Sequence, residues 1–226
     1  MKRLTCLLLF PAALTTWVAC DLLPTPGEPG SFESLFDGKS LRGWEGDTRF
    51  FRIGDGAIIA GTLERPIPHN VFLASKKAFD DFDLRFEARL LGKGHNAGVQ
   101  FRSERIPGNH EMIGYQCDIG KWSKGLIWGL LYDESRRRRM LDEPEQEPLV
   151  KAVNQDGWNH LRVLATGPRV QIWVNDFPTV DYTETDPSVE PRGRLGLQIH
   201  GGPPAECHYR NIRIRRLKPA SPALQE

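Results

Sequence analysis

The chain has 226 residues, with 30 Lys and Arg against 29 Asp and Glu, 22 Gly and 17 Pro. That length suits one domain with a core large enough to need no disulfide scaffold. A net charge of +1 lacks the basic excess of a nucleic-acid binder, and the glycine and proline content disfavours a helical bundle.

The first element is an address. Met1-Lys2-Arg3 is basic, and Leu4 to Val18 is apolar apart from threonines, too short for a stable membrane span. Trp17-Val18-Ala19-Cys20 closes it, and a cysteine after a small residue resembles a bacterial lipobox, with Cys20 acylated in the mature chain. Ordinary cleavage and free secretion is the alternative. Either way the reading is export, to a bacterial periplasm or outer membrane. Loss of residues 1–19 removes two positive charges and no acid, moving the net charge from +1 to −1. Residues 20–30 are rich in Pro and Gly and read as a tether, residues 31–217 as the domain, and residues 218–226 as a flexible tail.

The body reads as strands. Asp83 to Leu90 puts Leu84, Phe86, Ala88 and Leu90 on one face and four charges on the other. Ala97 to Arg102 sends Ala97, Val99 and Phe101 inward and Gly98, Gln100 and Arg102 outward. Tyr115 to Ile119 opposes Tyr115, Cys117 and Ile119 to Gln116 and Asp118. His160 to Leu164, Val170 to Asn175, Leu195 to His200 and Cys207 to Ile214 follow the same period. Asn175-Asp176 predicts a hairpin turn towards Val180-Asp181-Tyr182. No stretch carries a helical stripe. Many short antiparallel strands predict an all-β sandwich or barrel.

The outward faces differ. Residues 83–90 expose Asp, Arg, Glu and Arg, a plain solvated pattern. Three other strands offer Gln100 with Arg102, Gln116 with Asp118, and Gln198 with His200, and no lysine. Fixed amides and carboxylates suit sugar hydroxyls, which both donate and accept. Trp122, Trp128 and Tyr132 are candidates to stack on a pyranose ring. The same pattern also fits a half-exposed sheet face with the tryptophans in the core.

Six segments resemble, in order, the 3-keto-disaccharide hydrolase family. They are Ser34 to Trp44 (SLFDGKSLRGW), Asn96 to Arg102 (NAGVQFR), Gly114 to Ile119 (GYQCDI), Gly157-Trp158-Asn159, Leu195 to Gly201 (LGLQIHG), and Tyr209 to Ile214 (YRNIRI). The resemblance implies a concanavalin A-like jelly-roll sandwich of two antiparallel sheets, with ligand on the concave sheet. Many members carry a glutamate two positions before the glutamine of the third motif. Gly114 stands there in this chain, with Glu111 nearby in a different register. If that carboxylate is needed, Asp118 or Glu134 has to supply it.

The resemblance also implies a reaction. A ketone at carbon 3 acidifies the hydrogen on carbon 2; a base removes it, the substituent on carbon 1 leaves, and water adds back. The site needs a base, an enolate stabiliser and an acid. His200 is the expected base, because imidazole titrates near neutrality. A sheet-end histidine bonded to a loop carbonyl is the competing reading. Asp118 is expected to orient it or serve as acid, and Arg102 to stabilise the enolate. Gln116, Gln198, Gln100, Asn96, Trp122, Tyr132, Glu134 and Arg137 are the expected substrate contacts. No cofactor is expected; a divalent ion on Asp118 and His200 is an option with only two ligands. The implied partners are an oligosaccharide or glycoside and a sugar oxidoreductase that makes the keto-sugar, with contact to membrane only through a lipid anchor and none with nucleic acid.

Two functional alternatives stay open: a non-catalytic carbohydrate-binding module, and a surface lipoprotein for adhesion or assembly. The Arg136 to Arg139 run, flanked by acids, predicts a salt-bridged loop, and Leu141 to Val150 an acidic surface loop. Cys117 and Cys207 fit either a disulfide or two buried thiols.

Overall fold

The computed structural model describes residues 30–218. The signal, nearly all of the tether, Cys20 and residues 219–226 lie outside the described residues. The strands in chain order begin with β1 (Glu33–Ser34), β2 (Trp44–Glu45), β3 (Phe51–Gly54) and β4 (Ala57–Thr62). Next come β5 (Val71–Phe79), β6 (Phe82–Gly92), β7 (Asn96–Arg105) and β8 (Met112–Trp122). Short β9 (Gly125–Leu126), β10 (Leu131–Glu134) and β11 (Met140–Asp142) precede helix α1 (Gln146–Ala152). The chain ends with β12 (Asn159–Thr166), β13 (Arg169–Val174), β14 (Phe177–Thr183), β15 (Gly193–Ile199) and β16 (Ala205–Arg216).

They form two antiparallel sheets, the all-β sandwich expected. One runs β14-β13-β12-β6-β16-β4-β3, with β1 on β16; the other runs β11-β10-β8-β7-β15-β5-β2, with β9 on β8. Period-two alternation decides which side faces the partner sheet. Leu84, Phe86, Ala88, Leu161, Val163 and Ile214 from the first sheet meet Val99, Phe101, Tyr115, Cys117, Ile119 and Leu197 from the second. Each such side chain contributes roughly 1.5–3 kcal/mol when fully buried. The β13–β14 hairpin turns on Asn175 and Asp176, both at positive φ (47° and 65°), matching the right-handed strand twist.

Two readings of loops and thiols sharpen. Leu141 to Val150 is not an open loop: it holds β11 and the start of α1, which buries Leu149. Seven residues are too few for a helical stripe to show. The helix is held by Gln146, whose amide accepts from the Leu126 N–H (2.8 Å) and donates to the Leu126 carbonyl (2.9 Å). Cys117 and Cys207 are both free thiols, fully buried, one in each sheet.

Candidate active site on the outer face of the amide sheet

The outer face of the second sheet is set by register. Gln116 on β8 stands opposite Gln100 on β7, which stands opposite Gly196 on β15. One step along, Asp118, Gly98 and Gln198 form the next row. Gly98 is small for a reason: a Cβ there would lie 2.7 Å from the Gln116 side chain, which crosses over it. Gln116 Nε2 thereby donates to Asp118 Oδ1 (2.7 Å) and to Gln198 Oε1 (3.1 Å), joining two strands across the intervening one. The face is fixed from beneath by Tyr209 of β16. Its buried hydroxyl lies 2.6 Å from the Gln198 carbonyl and 3.1 Å from that of Gly98.

The cluster is incomplete in hydrogen bonding. Asn96 Oδ1, both amide atoms of Gln100, Gln116 Oε1, Asp118 Oδ2 and Gln198 Nε2 are buried with no hydrogen-bond partner among the described residues. Each such atom costs about 1–3 kcal/mol, so a sheet face selected for stability alone would not gather them. Both donors and acceptors are among them, the requirement of a polyol. Phe72, Ala74 and Met112 make a separate small apolar cluster beside them, with Phe72 opposite Gln198 and Ala74 opposite Gly196. An amide cluster edged by an apolar patch complements the mixed polar and C–H faces of a sugar.

The electrostatics single out two carboxyls. Asp118 is 1% exposed, and burial, against one Gln116 hydrogen bond, raises its pKa well above the ordinary value, with the Glu134 charge adding to the rise. Oδ1 accepts from Gln116, and Oδ2 is buried without a partner among the described residues. Glu134 on β10 is half-buried, and its pKa is raised by burial and by Glu111; the Ser135 N–H and the Gln198 amide oppose the rise. Glu134 stands directly opposite Gly114 in the β8–β10 ladder, so a carboxylate is supplied from the neighbouring strand. Gly114 itself has φ 147° and a Cβ there would lie 2.2 Å from Ser103 Oγ, which excludes a side chain.

Most sequence-predicted contacts share this face. Tyr132 pairs in register with Gln116, and its hydroxyl pKa rises through burial and the charges of Glu134 and Asp118. Trp122, 43% exposed, sits edge-on to Tyr132 with ring centroids 5.8 Å apart. Trp128 is buried in the core and takes no part. His200 follows β15 at the rim, exposed, with Nδ1 2.6 Å from the Gly201 carbonyl. Among the described residues its only side-chain hydrogen bond is that loop contact, and none joins it to Asp118. Among the described residues no group of three or more His, Cys, Asp and Glu could hold a metal ion.

Arg102 and Arg137 require correction. Arg102 lies in a bulge between Phe101 and Glu104, and its φ of 47° turns the side chain off the alternating pattern. Its guanidinium, 2% exposed, donates to the carbonyls of Asp80 (3.0 Å) and Gly167 (2.7 Å) and to Asp81 Oδ1 (2.9 Å). It pins the β5–β6 and β12–β13 turns together and cannot reach an enolate on the amide cluster. Arg137 is held by Glu184 through a bidentate pair (2.8 and 2.9 Å) and by Asp133 at 3.2 Å. Burial opposes ionisation of Glu184, but Arg137 and the Tyr115 hydroxyl outweigh it and hold the carboxyl at about 2. The arginine run is therefore salt-bridged as expected, yet structural. The arginine whose charge Tyr132 and Glu134 both feel is Arg138.

Sequence reading missed Asn70, Phe72 and Met112. Asn70 Nδ2 donates to Glu111 Oε1 (3.1 Å) and so connects β5 to the β7–β8 turn. Asn70 lies in the loop before β5, and Phe72 and Met112 are apolar residues on an otherwise polar face, so polar–apolar alternation gave no signal.

The fold and this face define a galectin-like jelly-roll sandwich whose second sheet presents a buried amide and carboxyl cluster. Residues 31–215 match the model of the 3-keto-alpha-glucoside-1,2-lyase-like domain, and the chain belongs to that family. No curated protein matches the sequence. Among solved structures, a candidate glycosyl hydrolase from Parabacteroides distasonis ATCC 8503 is similar at 18% identity and TM-score 0.61, over 84% of this chain and 94% of that one. A Bacillus subtilis protein of unknown function with a galectin-like fold matches at 11% identity and TM-score 0.60, over 84% of this chain and 96% of that one. The carbohydrate-binding module CBM66 from Bacillus subtilis matches at 16% identity and TM-score 0.55, over 76% of this chain and 95% of that one.

Proposed function

We propose that this protein is a carbohydrate-active enzyme that cleaves 3-keto-glycosides by elimination and rehydration. The observation that carries the reading is that Asp118 and Glu134, two carboxyls of raised pKa, share one face with orphaned amide donors. Glu134 as carboxylate removes the proton from carbon 2, and the electron pair moves onto the carbon-3 oxygen as an enolate. The free N–H groups of Gln198 and Gln100, with the Arg138 charge, stabilise that oxygen. Collapse of the enolate forms the carbon 1–carbon 2 double bond and expels the carbon-1 oxygen, which takes the Asp118 proton. Water then adds to carbon 1, and a proton returns to carbon 2, so the net change is hydrolysis. Gln116 and Asn96 hold hydroxyls, and Trp122 with Tyr132 meets the C–H face of a ring. His200 serves at the rim.

The reading includes an address and a supplier. The basic start and apolar stretch of residues 1–18 support export, and Ala19-Cys20 supports a lipid anchor in a bacterial envelope. The keto group requires an oxidoreductase acting upstream on the sugar. The test is incubation with 3-keto-trehalose or a 3-keto-glucoside, followed by detection of free 3-ketoglucose. Release by wild type and loss in Glu134→Gln is expected; equal release by both overturns the assignment. The side-chain-free position at Gly114 supports a second reading, a binding module without turnover. It predicts retention of the keto-sugar with no release by wild type.

A further inference from the structure

The opposite sheet carries an unusual outer face. Arg162 on β12, Arg85 on β6 and Arg213 on β16 stand side by side in one cross-strand row. Like charges directly opposite destabilise a sheet, so the row has a cost that packing does not require. Arg215, one row away, joins them. A single carboxylate, Asp83, answers Arg85, Arg162 and Arg215 at 3.0 Å each. Arg213 has no carboxylate partner among the described residues, and the group keeps a surplus of positive charge.

The guanidinium groups lie against aromatic rings rather than free. Phe32 has Arg85, Arg213 and Arg215 within 4.9 to 5.4 Å of its ring centre. Trp158 lies against Arg210 (3.9 Å) and Arg89 (4.9 Å), and Trp173 against Arg162 (4.7 Å). The arginine side chains of the row and its neighbours that bind Asp83 or Glu87 stay 29% to 36% exposed. Beside them a shallow groove of about 570 Å³ is lined by Phe32, Ser34, Glu87, His160, Asn211 and Arg213.

We propose that this arginine face binds a carboxylate-bearing polysaccharide, a uronate polymer, on the side of the domain opposite the amide cluster. A planar guanidinium fork matches a planar carboxylate, and strands spaced about 4.8 Å apart offer such forks in series. Two rival polyanions fit less well. An anionic membrane would favour exposed apolar side chains for insertion, and the exposed large hydrophobics among the described residues, Leu63, Trp122 and Val150, belong to no strand of this sheet. A single-stranded nucleic acid needs bare aromatic faces for its bases, whereas Phe32, Trp158 and Trp173 are each covered by arginine. The proposal stands independently of the chemistry assigned to the amide face.

The test is retention of the full chain on immobilised polygalacturonate, with dextran, phosphatidylglycerol vesicles and single-stranded DNA as parallel probes. Wild type is expected to bind polygalacturonate at low salt, to release as salt screens the arginines, and to ignore dextran. Arg213→Glu is expected to weaken binding at least tenfold, and Arg213→Gln less, with melting temperature and release of 3-ketoglucose unchanged. Absent retention of wild type, equal retention of Arg213→Glu, or tighter binding to vesicles or DNA than to polygalacturonate overturns it.

Discussion

Two buried aspartates, one on the outer face of each sheet, have opposite fates. Asp83 is fully buried, and burial alone would raise its pKa, yet hydrogen bonds from Arg85 and Arg162 reverse the balance and lower it. Asp118 has as little exposed surface but lies deeper, has one amide for company, and is raised instead. Depth and partner set together decide ionisation. On the arginine face the carboxylates are consumed by structure. On the amide face a carboxyl is kept neutral and half unpartnered, the condition of a group held ready to act.

The largest expected break in that contrast is Asp118→Asn. The replacement is isosteric and neutral, as the acid itself is, so the fold persists while 3-ketoglucose release falls by about 10²–10⁴-fold, the usual worth of a placed general acid. Kinetics on the keto-glycoside beside a thermal melt separate the two effects. Next comes Asp83→Asn, which strands three arginines and costs about 3 kcal/mol in a denaturant titration, with activity per folded molecule intact.

The same two variants sharpen the contrast with pH. Asp83, depressed in the fold, adds stability above its unfolded pKa of about 3.9 and loses it as pH falls through the lower folded value. Asp118, elevated in the fold, adds stability below about pH 3.9 and loses it as pH rises towards its folded value. Unfolding free energy measured from pH 2 to 8 is therefore expected to rise less with pH at the acid end in Asp83→Asn. In Asp118→Asn it should fall less above pH 4. A smaller effect is expected from Tyr209→Phe, about 1 kcal/mol in the same titration, because two carbonyls under the amide row lose a shared donor. The smallest is His200→Ala: a rim histidine bonded to its own loop should change turnover by less than about threefold, and a complete loss would return the base role to it.

The sheet faces were legible wherever the chain alternates without interruption. Ala97, Val99, Tyr115, Cys117 and Ile119 went to the core and Gln100, Gln116 and Asp118 to the outer face, because side-chain period in a strand is fixed. The pattern failed at Arg102, one residue into a bulge that a list of residue types does not announce. It failed at Arg137 for a different reason. Its partner Glu184 lies 47 residues away, beyond β14, and long-range ion pairs leave no local trace. Asp83 looked like a solvated charge; its neighbours from β12 and β16 made it a buried hub. Glu134 was noticed, but that it stands across from Gly114 required the β8–β10 register.

The two unpaired cysteines turn this layered build into its own stopwatch. Cys117 lies on the core side of β8, the strand that carries Asp118, and Cys207 lies in the arginine sheet. Burial pushes the Cys207 thiol up to about 12 and Cys117 higher still, so neither reacts with an alkylating reagent while its sheet stays closed. The rate at which each sulfur is labelled thus times the opening of its own layer, with no probe added to the chain.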